Sequence, residues 1–130
     1  MPCPRKARYQ IRLLLTVAAA FVLLVPVARS APINRSVPPN WSARLSTPAG
    51  WYRGALCVHS HESGNWHIHN EPYANGFQFM LGTWMSVGGL ASTWITASPR
   101  EQLYRAYLVW KRDSGSWREW PNTSRACGLR

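Results

Sequence analysis

Apolar and polar positions divide the chain into three unlike stretches. Leu13–Ala28 is almost continuously apolar, Ala31–Leu45 is polar and broken by Pro32, Pro38 and Pro39, and beyond Ser46 apolar residues return in short periodic groups. That periodicity predicts where the last stretch folds. Thr47 can cap a helix and Pro48 suits its first turn, with Trp51, Leu56 and Val58 as the apolar positions that follow. The helix should run to about Ser63, where Gly64 can stop it. From Asn65 to Phe79 the pattern becomes aromatic and short, interrupted by Asn70, Pro72, Asn75 and Gly76, as for small hairpin strands. A short helix from about Leu81 to Val87 should end at Gly88-Gly89. Ser98-Pro99-Arg100-Glu101 reads as a capping box, and Leu103, Ala106, Tyr107 and Trp110 repeat at helical spacing up to Gly115. The tail, with Trp117, Trp120 and Pro121, is expected to be irregular but packed. The sum is an α+β domain, mainly helical, with a short β-hairpin element after its first helix.

The first thirty residues stand outside that domain. Arg5, Lys6, Arg8 and Arg12 precede the apolar run, and Ala28-Arg29-Ser30 places small residues where a signal peptidase would cut before Ala31. An uncleaved anchor is the alternative, but it needs about 20 apolar residues, and Pro26 interrupts this run. The expected organisation is a signal peptide at 1–30, a Pro/Ser-rich linker at 31–47 that lacks the apolar surface to fold, and a domain at 48–130. A secreted or cell-wall location follows. Export removes Cys3 and leaves Cys57 and Cys127 as a candidate disulfide. Its loop of 70 residues would contribute roughly 4 kcal/mol by the chain-entropy model.

Charge changes the picture little. Five of the fifteen basic residues lie in Met1–Ser30, so the net charge falls from +10 to about +5 without them. The remaining cations are scattered along the sequence, whereas a nucleic-acid footprint is more often a cluster. A solubilising surface is the simpler reading, and no nucleic-acid partner is expected.

Candidate chemistry centres on the five acids, all in the exported part. Glu101 belongs to the capping box, and Asp113 and Glu119 sit among small or charged residues near a helix end and a loop. Glu62 differs, since its helix neighbours are aromatic and apolar, and a carboxyl partly desolvated by them suits a glycosidic general acid. The alternative is a solvated carboxylate at a helix end. His59, His61, His67 and His69 invite a metal reading. His59 and His61, two apart on a helix, point to different faces, and His61-Glu62 lacks the second histidine of a zincin helix. Exposed histidines that tune the field around Glu62 are the reading preferred. Most of the eight tryptophans should be core, while Trp66 and Tyr73 flank the loop facing Glu62 and offer flat faces to sugar rings.

The strings CVHSHESGNW, NGFQFMLGTWMSVGG, ASPREQL and GSWREWP, followed by Cys127, together resemble the transglycosylase-like domain of actinobacterial resuscitation-promoting factors, over about Trp51 to Gly128. The resemblance implies a lysozyme-like fold and cleavage of the β-1,4 bond between N-acetylmuramic acid and N-acetylglucosamine. It makes Glu62 the catalytic glutamate, places Gln78 and Thr83 in the substrate cleft, and matches Cys57 and Cys127 to the family's paired cysteines. With Asn65, Trp66 and Tyr73, the two cleft residues form the expected substrate-binding set. Three departures stand out. His61 occupies the place where many members carry the first cysteine; Glu71 and Pro72 replace small residues before Gln78; and Gly115-Ser116 stands where a glutamine-glycine pair is common.

Glycoside cleavage ordinarily uses two carboxyl groups, and the sequence offers no clear second one, Glu71 being better explained as structural. Glu62 would protonate the glycosidic oxygen, and the sugar cation would be captured by its own hydroxyl or by water. The first outcome is a lytic transglycosylase, the second a muramidase. No cofactor or metal is required. The expected partners are peptidoglycan glycan strands and a cooperating wall hydrolase, with the protein itself a monomer and free of the membrane after signal cleavage. A non-catalytic wall-binding or signalling module of the same fold is the rival reading. A cationic protein acting on membranes or nucleic acid is a weaker one.

Overall fold

The computed structural model describes residues 36–129, so the signal segment at 1–30 lies outside the described residues. Helix α1 runs Trp51–Glu62 and buries Trp51, Gly54, Ala55, Val58 and His59. Its N-cap is Gly50, at φ 84°, and not Thr47. The Thr47 hydroxyl instead donates to the carbonyl of Ala43 at 2.6 Å, a local bond that competes with capping. At the other end the backbone N–H groups of Ser63 and Gly64 both reach the carbonyl of His59. Gly64, at φ 64°, supplies the left-handed turn that ends a helix.

Three two-residue strands follow: β1 (His69–Asn70), β2 (Tyr73–Ala74) and β3 (Phe79–Met80), antiparallel in the order β1-β2-β3. The sheet thus has one strand more than a hairpin. Asn70 pairs with Tyr73, and Tyr73 in turn with Met80. Strands this short cannot hold themselves together. Asn75, fully buried at φ 60°, fixes the turn between β2 and β3. Its amide donates to the carbonyl of Trp94 at 3.2 Å, and its side-chain oxygen accepts from the N–H of Phe77.

Helix α2 (Leu81–Ser86) continues directly from β3, followed by a 3-10 turn at Ala91–Thr93. Helix α3 (Pro99–Arg112) begins with Pro99 at its first turn and the Ser98 hydroxyl accepting from the N–H of Glu101. Only that half of the capping box forms. The Glu101 carboxylate turns forward to Arg105, one turn on, at 2.9 Å, where a buried cation needs a partner. Gln102, fully buried, donates to the carbonyls of Trp66 and Ala97 and accepts from the N–H of Gly76, each at 2.8 Å. One side chain thereby ties α3 to the strand region.

The tail is not irregular throughout, because Pro121–Ala126 forms a fourth helix, α4, with Pro121 in its first turn. Its PNTSRA sequence carries no apolar stripe, so periodicity gave no sign of it. Cys57 and Cys127 form a disulfide, with Cα atoms 6.0 Å apart, that joins α1 to the end of α4. The segment read as a linker is also partly corrected. Trp41 is buried, meets Tyr104 edge-on at 5.1 Å, and has its carbonyl, with that of Pro39, held by the Arg100 guanidinium. One large ring and a cationic clamp anchor residues whose neighbours are polar. Among the described residues the fold is therefore α+β, four helices beside a small three-stranded sheet. Trp51, Trp84, Trp94, Trp117 and Trp120 join Trp41 in its core. Among the described residues no helix is long and apolar enough to cross a membrane.

Candidate active site

Glu62 is the last residue of α1, half-buried, where Gly64 turns the chain away. It borders a groove of about 290 Å³ lined also by Tyr73, Gln78, Glu119, Trp120 and the first residues of α4, Pro121 and Asn122. A second recess of about 140 Å³ shares Tyr73, Gln78, Glu119 and Trp120 and adds Phe79, Met80 and Thr83. Sharing these four residues, the two recesses lie side by side as a groove between the start of α4 and α2.

Each wall has a local cause. Trp120 is buried, its indole N–H donating to the carbonyl of Phe77 at 2.7 Å, so its ring cannot swing out. Gln78 takes φ 51°, a region that few non-glycine residues adopt. It is held there because both its backbone N–H and its side-chain amide donate to the carbonyl of Asn75. Tyr73 is substantially exposed on β2. The carboxylate of Glu62 accepts a hydrogen bond from the Thr123 hydroxyl at 2.8 Å.

Glu119 is a second carboxylate on this groove, and sequence reasoning passed over it. Its carboxylate accepts from Arg112 at 2.8 Å. Arg112 also bonds the Ser86 hydroxyl and the Asp113 carboxylate, which Arg118 holds as well. Burial alone would raise the Asp113 carboxyl, but hydrogen bonds from Arg112 and Arg118, with their charges, outweigh it and hold the group below its ordinary value. The buried acid therefore anchors the arginine that orients Glu119. One signal was available: Trp117 and Trp120 both turn inward, leaving Arg118 and Glu119 between them to face out.

Of the residues singled out from sequence, Glu62, Tyr73, Gln78 and Thr83 come together on the groove. Asn65 and Trp66 do not line it. Asn65 accepts from the N–H of His67, a bond within its own loop. Trp66 stacks on His59, ring centroids 3.7 Å apart, and is used for packing. Glu71 lies away from the groove and pairs with His69 at 2.8 Å.

The expectation of exposed histidines fails at His59. It is buried between Trp66 and Phe77, and burial lowers its pKa from the ordinary value. A Cβ at Gly76 would stand 2.4 Å from the His59 ring, so only glycine allows the β2–β3 turn to lie so close. Among the described residues, the one grouping with metal-ligand chemistry is Cys57, His61 and Cys127. With its sulfurs joined as a disulfide it offers only the imidazole.

Comparison of the chain with protein-family models, with curated proteins and with solved structures returns no match. The chemical reading rests on the groove itself. It combines a carboxyl that has a hydroxyl partner, an aromatic wall and side-chain amides.

Proposed function

We propose that this protein is a secreted peptidoglycan-cleaving glycosidase with a lysozyme-like domain, akin to the resuscitation-promoting factors that its motifs resemble. The observation that carries the reading is the convergence of Glu62, Gln78 and Thr83, from three separate motifs, on one groove. Convergence of this kind is what a shared ligand requires. The disulfide supports export to an oxidising compartment.

In this reading a glycan strand lies along the groove against Tyr73 and Trp120, with Gln78 and Thr83 supplying hydrogen bonds. Glu62 gives its proton to the glycosidic oxygen as the bond to the sugar breaks. The oxocarbenium-like sugar then takes its own hydroxyl, with Glu62 recovering the proton, or takes water. Glu119 is the nearest thing in the groove to the second carboxylate that such reactions ordinarily employ. Wall glycan is the substrate and a second wall hydrolase a natural companion.

Product analysis by mass spectrometry on purified peptidoglycan tests the proposal, comparing the protein with Glu62→Gln. Release of muropeptides by the wild type and not by the variant supports it, and product mass separates anhydro from reducing ends. Binding to the wall without release by either protein would replace it with the binding-module reading, which the Gly115-Ser116 departure favours.

A further inference from the structure

The Thr123 hydroxyl sits between two acceptors. Its oxygen lies 2.8 Å from Oε1 of Glu62 and 3.2 Å from the carbonyl oxygen of Trp120. A hydroxyl carries one proton and can also accept. It therefore cannot donate to both neighbours at once, and which one receives the proton depends on the state of Glu62. When Glu62 is a carboxylate, Thr123 donates to it. When Glu62 is protonated, the carboxylic O–H donates to Thr123, whose own proton is free to turn to Trp120.

We infer that Thr123 is a positioning residue that holds the Glu62 side chain in both of its protonation states by reversing the direction of one hydrogen bond. The inference rests on the glycosidase reading for its purpose but not for its geometry. A general acid that later acts as base passes through both states in every turnover, and its carboxyl must stay in place through each. During the reaction the proton leaving Glu62 goes to the glycosidic oxygen. The Thr123 proton stays on Thr123 and only rotates; the pair gives up one proton, from Glu62, and regains it when Glu62 acts as base.

The surroundings make the switch inexpensive. The Trp120 carbonyl already accepts the helical bond from the N–H of Ser124 at 2.8 Å, so losing the longer Thr123 contact does not strip it of a partner. The frame around the switch is fixed. Trp120 is pinned through its indole to Phe77, and the Cys57–Cys127 disulfide ties α4 to α1 one turn beyond Thr123. Glu62 and Thr123 thus sit on two cross-linked helices, and the bond between them can reverse by rotation of a hydroxyl.

Thr123→Val keeps the shape and removes the proton, while Thr123→Ser keeps the hydroxyl. The first readout is carbon-13 NMR, following the Trp120 carbonyl and the Glu62 carboxyl with pH. In the wild type and in Thr123→Ser the Trp120 carbonyl should titrate together with Glu62; in Thr123→Val and in Glu62→Gln it should not. The second readout is turnover of soluble peptidoglycan fragments. Thr123→Val should lower kcat by about ten- to a hundred-fold with KM nearly unchanged, the scale expected for a misplaced proton donor, and Thr123→Ser should recover most of it. A Trp120 carbonyl that ignores Glu62 in the wild type, or follows it equally in Thr123→Val, overturns the inference. So does a Thr123→Val enzyme as fast as the wild type. If the valine variant does not fold, Thr123→Ala replaces it in both measurements. A wild-type protein without turnover would sink the glycosidase reading alone, because the carbonyl titration still decides the role of Thr123.

Discussion

Glu62, at the end of α1, and Glu119, in the loop before α4, line the same groove although 57 residues separate them in sequence. The two carboxyl groups differ in what holds them. Glu62 meets a neutral hydroxyl, whereas Glu119 meets the Arg112 guanidinium. In the proposed reaction that contrast in partners would give Glu62 the part of the acid and Glu119 that of an electrostatic stabiliser.

Glu119→Gln is therefore expected to lower kcat on peptidoglycan by roughly ten- to a hundred-fold, less than the loss at Glu62→Gln, which should be about a hundred-fold or more. Thermal stability should barely change, since a partly exposed pair contributes about 0–1 kcal/mol. Steady-state kinetics and a melting curve on the same preparation check both halves. A Glu119→Gln enzyme with full activity would remove Glu119 from the reaction.

The disulfide closes a loop of 70 residues, and the chain-entropy model assigns such a loop about 4 kcal/mol. For a domain of this size that corresponds to a fall in Tm of the order of 15–30 °C. Melting of the Cys57→Ser/Cys127→Ser protein, compared with the oxidised wild type, measures it. A fall of only a few degrees would mean that α1 and α4 are held by packing alone.

His59 links stability to pH. Burial lowers its pKa, so in the folded protein it resists protonation below the ordinary value of about 6.5, while in the unfolded chain it does not. The unfolded state then binds more protons, and its contribution to stability is complete above about pH 6.5 and is lost as pH falls from there toward the folded pKa. Urea midpoints at pH 7.5 and pH 5 should show this loss. In His59→Phe, which retains a ring to stack on Trp66, the difference between the two pH values should shrink. An unchanged difference would show that His59 is not its source.

Local signals carried much of the architecture and little of the site's inner wiring. Helix α3 was legible because Ser98 and Pro99 mark its start and its apolar residues recur at helical spacing, and the end of α1 was legible from Gly64. The start of α1 was misplaced because the Thr47 hydroxyl has a nearer acceptor in Ala43. Trp41 was missed because its burial depends on Arg100 and Tyr104, some sixty residues away. Glu62, Gln78 and Thr83 stood out through motif strings. Thr123 and Glu119 did not, since each gains its meaning from a contact across the fold: one hydroxyl meets a distant carboxylate, and one carboxylate is aimed by an arginine that a buried aspartate anchors. Asn65 and Trp66 were drawn into the site by adjacency in sequence, which the turn at Gly64 breaks.

Gln102 and Asn75, the two buried amides that brace the strand region and the β2–β3 turn, carry no charge and bond to backbone groups. Salt does not screen such bonds as it screens ion pairs, and no titration within the working pH range switches them off. The bonds that hold the β2–β3 turn are consequently indifferent to salt and to proton uptake. Gln78, carried on that turn, is thereby held by contacts that the medium does not change, whereas Glu119 is held by an ion pair that salt weakens.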